Sequence, residues 1–261
     1  MLVKRFGIGV AVAAFWLAVW WGIAALVDQT LLVPTPWQVA KVLVEVIRTA
    51  SFWKAVGFSL LRMLSGFAAA VVAGTVMAVL TARFSLLRAV FSPLLHVVRA
   101  APVASFIILA LVWIVTDAVP LFISFLMVFP IVWTNVETGL QRISPTLREV
   151  TKVYRLSRFK TLTVLVIPSV APYFYAACTS GLGFAWKSAV AAEVICRPDF
   201  SIGDRLQVAK LTLETPEVFA WTAVVVALSM LLEWLLKTAN RLYKQKTRHE
   251  QPNESAKEDA E

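Results

Sequence analysis

The chain has 261 residues, of which 59% are hydrophobic, and its mean hydropathy is +0.75. Soluble domains are about 45–50% apolar, so this composition excludes an ordinary soluble protein and indicates that lipid is the solvent. The net charge of +9 would suggest nucleic acid as the partner of a soluble protein. Basic residues also accumulate on the cytoplasmic side of membrane proteins, so no nucleic-acid partner is expected here.

Long uncharged runs divide the chain into membrane-spanning segments. The runs longer than the roughly 18 residues that cross a bilayer core are 6–27, 63–82, 118–136 and 161–186. Two shorter runs, 100–116 and 218–232, become spans if a flanking residue snorkels to the interface. The sequence therefore predicts an all-α integral membrane protein with six transmembrane helices. The first run is too long for a cleaved signal peptide and is expected to remain as an anchor.

Basic residues set the expected orientation of these spans. With the N-terminus inside, most of the 25 lysines and arginines fall in segments assigned to the cytoplasm, as the positive-inside rule requires. Both termini are therefore expected to be cytoplasmic. The transmembrane domain is predicted over residues 1–240, with its core at about 55–240. The polar segment 241–261 has mixed charge and is predicted to be a disordered cytoplasmic tail.

Two further features precede the third span. Residues 31–53 place apolar side chains at helical spacing after two prolines, which predicts a short amphipathic helix along the outer interface. The second span repeats a small residue every fourth position, at Gly66, Ala70, Gly74 and Ala78. Such a stripe lets another helix approach closely, although alanine-rich spans also show it by chance.

Prolines mark the third and fourth spans, at Pro93, Pro102, Pro120 and Pro130. A proline kinks a helix and frees backbone carbonyls, which membranes tolerate only where protein or a cavity compensates. The pattern favours a protein with a pathway through it.

Four charged residues fall in or near the spans and are the candidate pathway residues: Arg62, Arg99, Lys187 and Glu193. A charge at the centre of a span costs about 2.5–3.5 kcal/mol, so such residues are usually compensated or functional. Lys187 either lines a path and attracts an anion or snorkels to the interface. Arg62 and Arg99 pose the same alternative.

Motifs for catalysis or metal binding do not occur in the sequence. There is no G-x-x-x-x-G-K-[ST], H-E-x-x-H or G-x-S-x-G, and His96 and His249 stand alone. Cys178 and Cys196 are not expected to form a disulfide. No catalytic residue, metal ligand or cofactor is predicted, and the chain is not expected to be an enzyme.

A basic segment, LREVTKVYRLSRFKTLTVLVIP at 147–168, interrupts the apolar sequence between the fourth and fifth spans. Its basic residues are Arg148, Lys152, Arg155, Arg158 and Lys160. On a helix from about Ser144, with Pro145 at its first position, Leu147, Val150 and Tyr154 share one face. Such a helix either lies on anionic lipid or docks into a groove on a cytoplasmic partner.

This loop resembles that of the inner-membrane permeases of binding-protein-dependent ABC importers. Their loop has the pattern E-A-A, three residues, G, nine residues, and I-x-L-P. Glu149 takes the position of the glutamate, and Leu165, Ile167 and Pro168 match the end at the same spacing. Val150 and Thr151 replace the alanines. Arg155 stands where glycine is usual, which is the main departure.

The resemblance covers most of the chain. LLVPTPWQV after the first span is similar to the corresponding segment of the nitrate/sulfonate/taurine-type permeases. Further segments similar to that subfamily are SLLRMLSGFAAAVVAG (59–74), SPLLHVVRAAPVASFIILALVW (92–113) and AWKSAVAAEVI (185–195).

The resemblance implies a type I ABC importer permease fold with a cytoplasmic coupling helix, in a bacterial inner membrane. It implies two cytoplasmic ATPase subunits, an extracytoplasmic substrate-binding protein and a second permease chain, expected to be identical. The ATPase-docking residues would be Leu147, Glu149, Val150, Tyr154, Arg155 and Pro168. The solute would be a sulfonate, nitrate or a related anion, or a thiamine-precursor pyrimidine.

Two alternatives stay open from the sequence alone. The first is an ATP-independent channel or carrier, although neither a ring of like charges nor inverted halves with matching broken segments is visible. The second is a membrane subunit that binds its substrate without a delivery protein. Neither alternative explains the loop motif.

Overall fold

The computed structural model describes residues 2–249 of the chain, and the side chains of residues 7–238. The secondary structure of these described residues is helical throughout. The α helices are α1 (Leu2–Val27), α2 (Pro36–Ile47), α3 (Ala50–Arg83), α4 (Ser85–Ala100), α5 (Val103–Ala110), α6 (Val119–Gln141), α7 (Pro145–Val153), α8 (Arg158–Thr161), α9 (Ile167–Cys196), α10 (Ile202–Leu211) and α11 (Thr215–His249). A 3₁₀ turn, Thr116–Ala118, precedes α6, and a π-helical turn, Leu162–Val166, joins α8 to α9.

Five stretches of the described chain are long and apolar enough to cross a membrane. They are Gly7–Val27, Ala50–Arg83, Thr116–Gln141, Arg158–Cys196 and Thr215–Thr238. A sixth crossing results if the bent pair α4 and α5 forms one span. The predicted all-α membrane protein is confirmed. The spans Ala50–Arg83 and Arg158–Cys196 extend beyond the predicted runs 63–82 and 161–186, because helices continue past the point where the first charged residue appears.

The third predicted span, residues 100–116, is not one helix. Helix α4 ends at Ala100, and α5 begins at Val103 at 104° to it. Ala101 between them is extended, with φ −80° and ψ 140°. Proline disfavours the helical conformation in the residue before it, so Pro102 accounts for the break. Hydropathy detects the apolar run but not this change of direction.

The other prolines of this region occupy different positions within their helices. Pro93 and Pro130 lie inside α4 and α6, where each lacks the N–H that would bond the preceding turn. Pro120 is the second residue of α6, where a proline disturbs no hydrogen bond.

The described residues divide into two compact units, each made of three stretches of chain. The first comprises Met1–Met63, Val103–Pro120 and Ala189–Ala227. Aromatic pairs pack within it: Trp20 stacks on Phe219 with centroids 5.7 Å apart, and Phe52 stacks on Trp221 at 5.3 Å. These rings bury large apolar areas and fix α11 against α1 and α3.

The predicted amphipathic helix at 31–53 corresponds to α2, in the first unit. Its N-terminus is a capping box: the Gln38 amide donates to Thr35 Oγ1, and the Thr35 amide donates to Gln38 Oε1. Val39 is buried on one face, whereas Trp37 and Val44 are exposed on the surface of the chain. Exposed apolar residues beside a polar face suit a helix at a lipid interface.

The second unit comprises Leu64–Pro102, Leu121–Ser188 and the described residues from 228 onward. In it the small-residue stripe of α3 packs directly on α6. Ala70 and Ala78 are fully buried, and a Cβ added to Gly66 would collide with the Leu121 carbonyl oxygen. The close packing predicted from the stripe therefore occurs.

Helix α11 continues to His249, within the segment predicted to be a tail. Residues 250–261 lie outside the described residues, and the predicted disorder of the tail stays a prediction.

Candidate functional site

The loop between the spans Thr116–Gln141 and Arg158–Cys196 contains the predicted short helix, α7. It begins after the N-cap Ser144 with Pro145 at its first position, as the sequence predicts. The Ser144 side chain makes no capping hydrogen bond. Instead, the Arg148 guanidinium donates to the Leu140 carbonyl at the end of α6, at 3.0 Å, and ties the start of α7 to that helix.

One side of α7 is apolar and exposed. Leu147, Val150 and Tyr154 expose 49%, 43% and 74% of their surface, and Glu149 beside them is also exposed. Exposed apolar side chains in an otherwise polar, basic loop are typical of a protein contact surface. This side of α7 brings together three of the residues predicted to dock a partner, and Glu149 is exposed on a neighbouring face of the helix.

Arg155, at the glycine position of the loop pattern, has a φ of 50°. It follows the C-cap Tyr154 and ends α7 in a left-handed residue, the conformation that glycine adopts most readily. The Arg155 amide donates to the Lys152 carbonyl and the Leu156 amide to the Thr151 carbonyl, both at 3.0 Å. These two bonds form a Schellman motif, so the turn geometry expected of glycine is present with arginine.

Pro168, the last of the predicted docking residues, is the second residue of α9 and follows the π-helical turn Leu162–Val166. Because proline has no N–H, the carbonyl one turn before it lacks its usual α-helical donor. Wider turns of this kind often occur at functional positions of helices. Pro168 therefore shapes the entry into α9 and lies apart from the exposed side of α7.

Two of the candidate pathway residues, Arg62 and Glu193, meet in a polar cluster of the first unit. Glu193 is fully buried, and its Oε1 lies 3.9 Å from Nη1 of Arg62. The Ser59 hydroxyl donates to Glu193 Oε2 at 2.8 Å, and the Gly203 amide donates to the same oxygen at 3.2 Å. Arg62 also pairs with Asp117 at 2.7 Å. Arg62 is thus shared between two carboxylates, and these contacts give both Arg62 and Glu193 a structural explanation.

This cluster holds the N-terminus of α10. Gly203 is its second residue, and a Cβ there would overlap Glu193 and the Val194 amide. The Ile202 amide donates to Ser59 Oγ at 3.0 Å. The first amides of a helix carry partial positive charge, so the Glu193 carboxylate is a favourable acceptor for them.

Sequence reasoning missed Ser59, Asp117 and Gly203 as members of the cluster. Asp117 could have been identified from the sequence, because it is the one carboxylate between two apolar runs. Ser59 and Gly203 could not have been identified from the sequence. A serine in an apolar segment and a glycine at a helix start are common for other reasons. Glu137 was missed as well: it is buried in α6 and pairs with Arg88 at 3.4 Å.

Arg99 lies at the end of α4 in the second unit. Its Nη2 donates to Thr134 Oγ1 at 2.6 Å and to the Pro130 carbonyl at 3.3 Å. These acceptors are neutral, so they hold the guanidinium in place without cancelling its charge.

Lys187 lies in α9 and lines a cavity of about 570 Å³ in the second unit. The side chain is exposed and makes no hydrogen bond or ion pair within the described part of the chain. The hydroxyls of Thr179 and Ser180 line the same cavity. Glu233 and Lys237 of α11 complete its charged groups and pair with each other at 3.1 Å. The cavity thus presents one uncompensated positive charge beside hydroxyl groups.

The spacing of these residues along α9 is regular. Pro172, Ala176, Ser180, Phe184 and Lys187 lie at intervals of three or four and are all exposed. They therefore form one stripe of the helix, along which the cavity extends. Among the side chains of residues 7–238, no group of histidine, cysteine and carboxylate residues is arranged to hold a metal ion.

Comparison with known proteins connects this architecture to a family. A family model described as "Binding-protein-dependent transport system inner membrane component" matches residues 70–249. The taurine transport system permease protein TauC of Escherichia coli (strain K12) is 25% identical over 247 residues, covering 92% of this chain and 90% of TauC. The nitrate import permease protein NrtB of Synechocystis sp. (strain PCC 6803) is 29% identical over 140 residues, covering 52% of this chain and 50% of NrtB.

A solved structure shares the fold. A chain from the crystal structure of an amino acid ABC transporter with histidines superposes with a TM-score of 0.56 at 14% sequence identity. The superposition covers 74% of the present chain and 94% of the other.

Proposed function

Because this chain belongs to the family of binding-protein-dependent transport system inner membrane components, we propose that it is the permease subunit of an ATP-driven importer for a small anion. The observation that carries the proposal is the exposed apolar side of α7 in the loop between two spans. In an ATP-driven importer, a permease without a nucleotide-binding motif in its sequence relies on a partner that supplies the energy.

In this proposal α7 docks into a groove on a cytoplasmic ATPase. Leu147, Val150 and Tyr154 supply the apolar contact, and Glu149 fixes the orientation by an ion pair or hydrogen bond. Arg155 and Pro168 shape the two ends of the loop. Such an amphipathic helix in a groove is a recurring mode of protein recognition. ATP hydrolysis takes place on the partner, and the chain itself catalyses no reaction.

The complete assembly contains two copies of the permease and two ATPase subunits in the bacterial inner membrane, with both permease termini in the cytoplasm. A substrate-binding protein delivers the solute on the opposite side, where residues 28–55 and 196–216 lie. The family name itself specifies a binding protein. The excess of basic residues in the segments assigned to the cytoplasm supports the orientation.

The substrate is a sulfonate, nitrate or a related anion in this proposal. The similar proteins TauC and NrtB are named for taurine and nitrate transport. Lys187 lines a cavity with an unpaired charge, whereas Arg99 is held by neutral acceptors and Arg62 pairs with Glu193 and Asp117. We therefore propose that Lys187 lines the transport pathway and that Arg62 and Glu193 have a structural role.

Replacing Glu149 tests the docking. Glu149→Lys is expected to uncouple ATP hydrolysis from transport, because it reverses the charge that the proposal uses to orient α7 on the ATPase. The measurement is ATPase activity and solute uptake of the assembled transporter in proteoliposomes. The control is Arg142→Glu, a charge reversal at an exposed position of the same loop outside α7. Coupled transport at the native rate in Glu149→Lys would refute this role.

Replacing Lys187 tests the pathway. Lys187→Gln removes the charge and is expected to lower uptake of the anion by about ten- to a hundredfold, since a hydrogen bond to a charged group contributes about 1.5–3 kcal/mol. Lys187→Arg keeps the charge and is expected to retain most of the uptake. Equal uptake by the native and Lys187→Gln proteins would remove Lys187 from the pathway and leave the docking proposal intact.

A further inference from the structure

A second cavity, of about 630 Å³, lies beneath α7 in the second unit. Its rim is basic and consists of Arg148, Lys152, Arg155 and Arg158. Its floor is aliphatic and includes Ile143 and Leu165, which are both buried. No acidic residue of the described chain lines it. The cavity therefore combines a concentrated positive charge with an apolar base.

The basic rim is not neutralised by the protein. Lys152 and Arg158 make no hydrogen bond or ion pair through their side chains within residues 7–238. Arg148 donates to the Leu140 carbonyl, which carries no net charge. Four like charges around one cavity repel each other, and an anion that enters relieves this repulsion.

The backbone conformation brings these four basic side chains together. Arg148, Lys152 and Arg155 follow one another at intervals of four and three, which places them on one side of α7 and its terminal turn. The left-handed conformation of Arg155 ends the helix and returns the chain so that Arg158 joins the same rim. Leu147, Val150 and Tyr154 are absent from the lining of the cavity.

The position of the cavity indicates the kind of anion. It lies where the chain leaves the span Thr116–Gln141 and enters the span Arg158–Cys196. Lipid headgroups are expected near the end of an apolar span. Basic pockets between transmembrane helices on the cytoplasmic side are suited to anionic lipid headgroups. A phosphate with an attached apolar chain matches both the rim and the floor, whereas free phosphate matches the rim alone.

We propose that this cavity binds the headgroup of an anionic phospholipid. The lipid contacts the basic side of α7 while the apolar side stays accessible to a protein partner, so both can be bound at once. Bound lipid would fix the orientation of α7 relative to the ends of the two spans. The site is independent of the proposed transport substrate and can exist even if the transport proposal fails.

Native mass spectrometry of the purified full-length chain tests the proposal, with dioleoyl-phosphatidylglycerol and dioleoyl-phosphatidylcholine as probes. The native protein is expected to bind the phosphatidylglycerol more tightly. The double variant Lys152→Gln/Arg158→Gln is expected to bind it about 30-fold more weakly. Each basic residue near an anionic lipid surface contributes roughly fivefold, so two together give this factor.

The matched control is Arg142→Gln/Lys160→Gln, which removes the same charge from exposed positions of the same loop that do not line the cavity. It is expected to bind within about twofold of the native protein. Equal weakening in both double variants would overturn the proposal in favour of general electrostatic attraction. Equal affinity of the native protein for the two lipids would also overturn it.

Two further measurements test whether free phosphate or an acidic protein surface occupies the cavity in place of a lipid. If inorganic phosphate displaces the phosphatidylglycerol completely, the cavity is a site for free phosphate and the lipid proposal is wrong. If the cavity variant loses a co-purifying ATPase and keeps its lipid affinity, the rim faces an acidic protein surface instead. Thermal unfolding of each variant checks folding, and the single variants Lys152→Gln and Arg158→Gln replace the double variant if it is unstable, each with about fivefold weaker binding expected.

Discussion

At the scale of single residues, Arg155 holds a backbone conformation with a φ of 50°. A residue with a Cβ pays about 1–2 kcal/mol for this left-handed conformation, and glycine does not. The two hydrogen bonds of the Schellman motif offset part of this cost. The guanidinium at this position also contributes to the basic rim of the cavity beneath α7, which a glycine could not do.

Replacing Arg155 separates these contributions. Arg155→Gly is expected to stabilise the end of α7 by about 1 kcal/mol, because it removes the backbone strain. The measurement is hydrogen exchange at the Leu156 amide, which bonds to the Thr151 carbonyl and should become about fivefold more protected. Arg155→Ala is the control, since it removes the charge and keeps the Cβ. A gain in Arg155→Ala equal to that in Arg155→Gly would show that charge repulsion, and not backbone strain, dominates.

The sequence identifies some of the residues of these sites and not others. It identifies Arg62 and Glu193 as unusual, because charges in apolar segments stand out by composition alone. It does not pair them, because Ser59 and Glu193 of the same cluster are 134 positions apart and only the fold brings them together. Gly203 and Ile202 contribute through backbone amides, which no side-chain pattern reports. The position of Lys187 in a span was predictable from the sequence. The cavity that it lines was not, because α11 contributes Glu233 and Lys237 to the lining.

At the scale of helices, α3 and α6 approach each other along the small-residue stripe. A Cβ at Gly66 would lie 2.9 Å from Ser124 Cβ and collide with the Leu121 carbonyl, and a Cβ at Gly74 would lie 3.0 Å from Val132 Cβ. Backbone and side chains of α6 fill the space that the missing side chains leave. In lipid, where no hydrophobic drive brings helices together, this close contact supplies the attraction.

Replacing Gly66 tests the contact. Gly66→Ala is expected to destabilise the protein by about 1–3 kcal/mol, because overpacking forces a backbone shift. The measurement is the midpoint of thermal unfolding in detergent. Gly57→Ala in the same helix is the control: nothing lies within 4 Å of a Cβ there, and alanine is the better helix former. A similar loss of stability in both variants would argue against the packing explanation.

The helices themselves were largely predictable, and the bend between α4 and α5 was not. Apolar runs identify spans because a bilayer requires about 20 apolar residues and satisfied backbone groups. The run 100–116 is uncharged, yet within it the α helix is limited to Val103–Ala110 beyond the end of α4, and α5 lies at 104° to α4. Pro102 is visible in the sequence. A membrane helix can tolerate a proline or break at it, and the neighbouring helices decide between these outcomes.

At the scale of the whole molecule, charge distribution predicts orientation. The loop containing α7 is strongly basic and is expected on the cytoplasmic side, with α10 on the opposite side. In a variant lacking Cys178 and Cys196, a cysteine at exposed Lys160 should be protected in intact cells from a membrane-impermeant thiol reagent. A cysteine at exposed Lys210 should react with it. The reverse pattern of labelling would invert the topology and remove the basis for an ATPase contact at α7.

The fit between α3 and α6 limits the movements open to a transport cycle. Sliding α3 by four residues, about 6 Å, would bring the Ala70 methyl group to the place where Gly66 now clears the Leu121 carbonyl. The close fit therefore disfavours sliding of α3 along α6, and we expect a transport cycle to move these two packed stretches together.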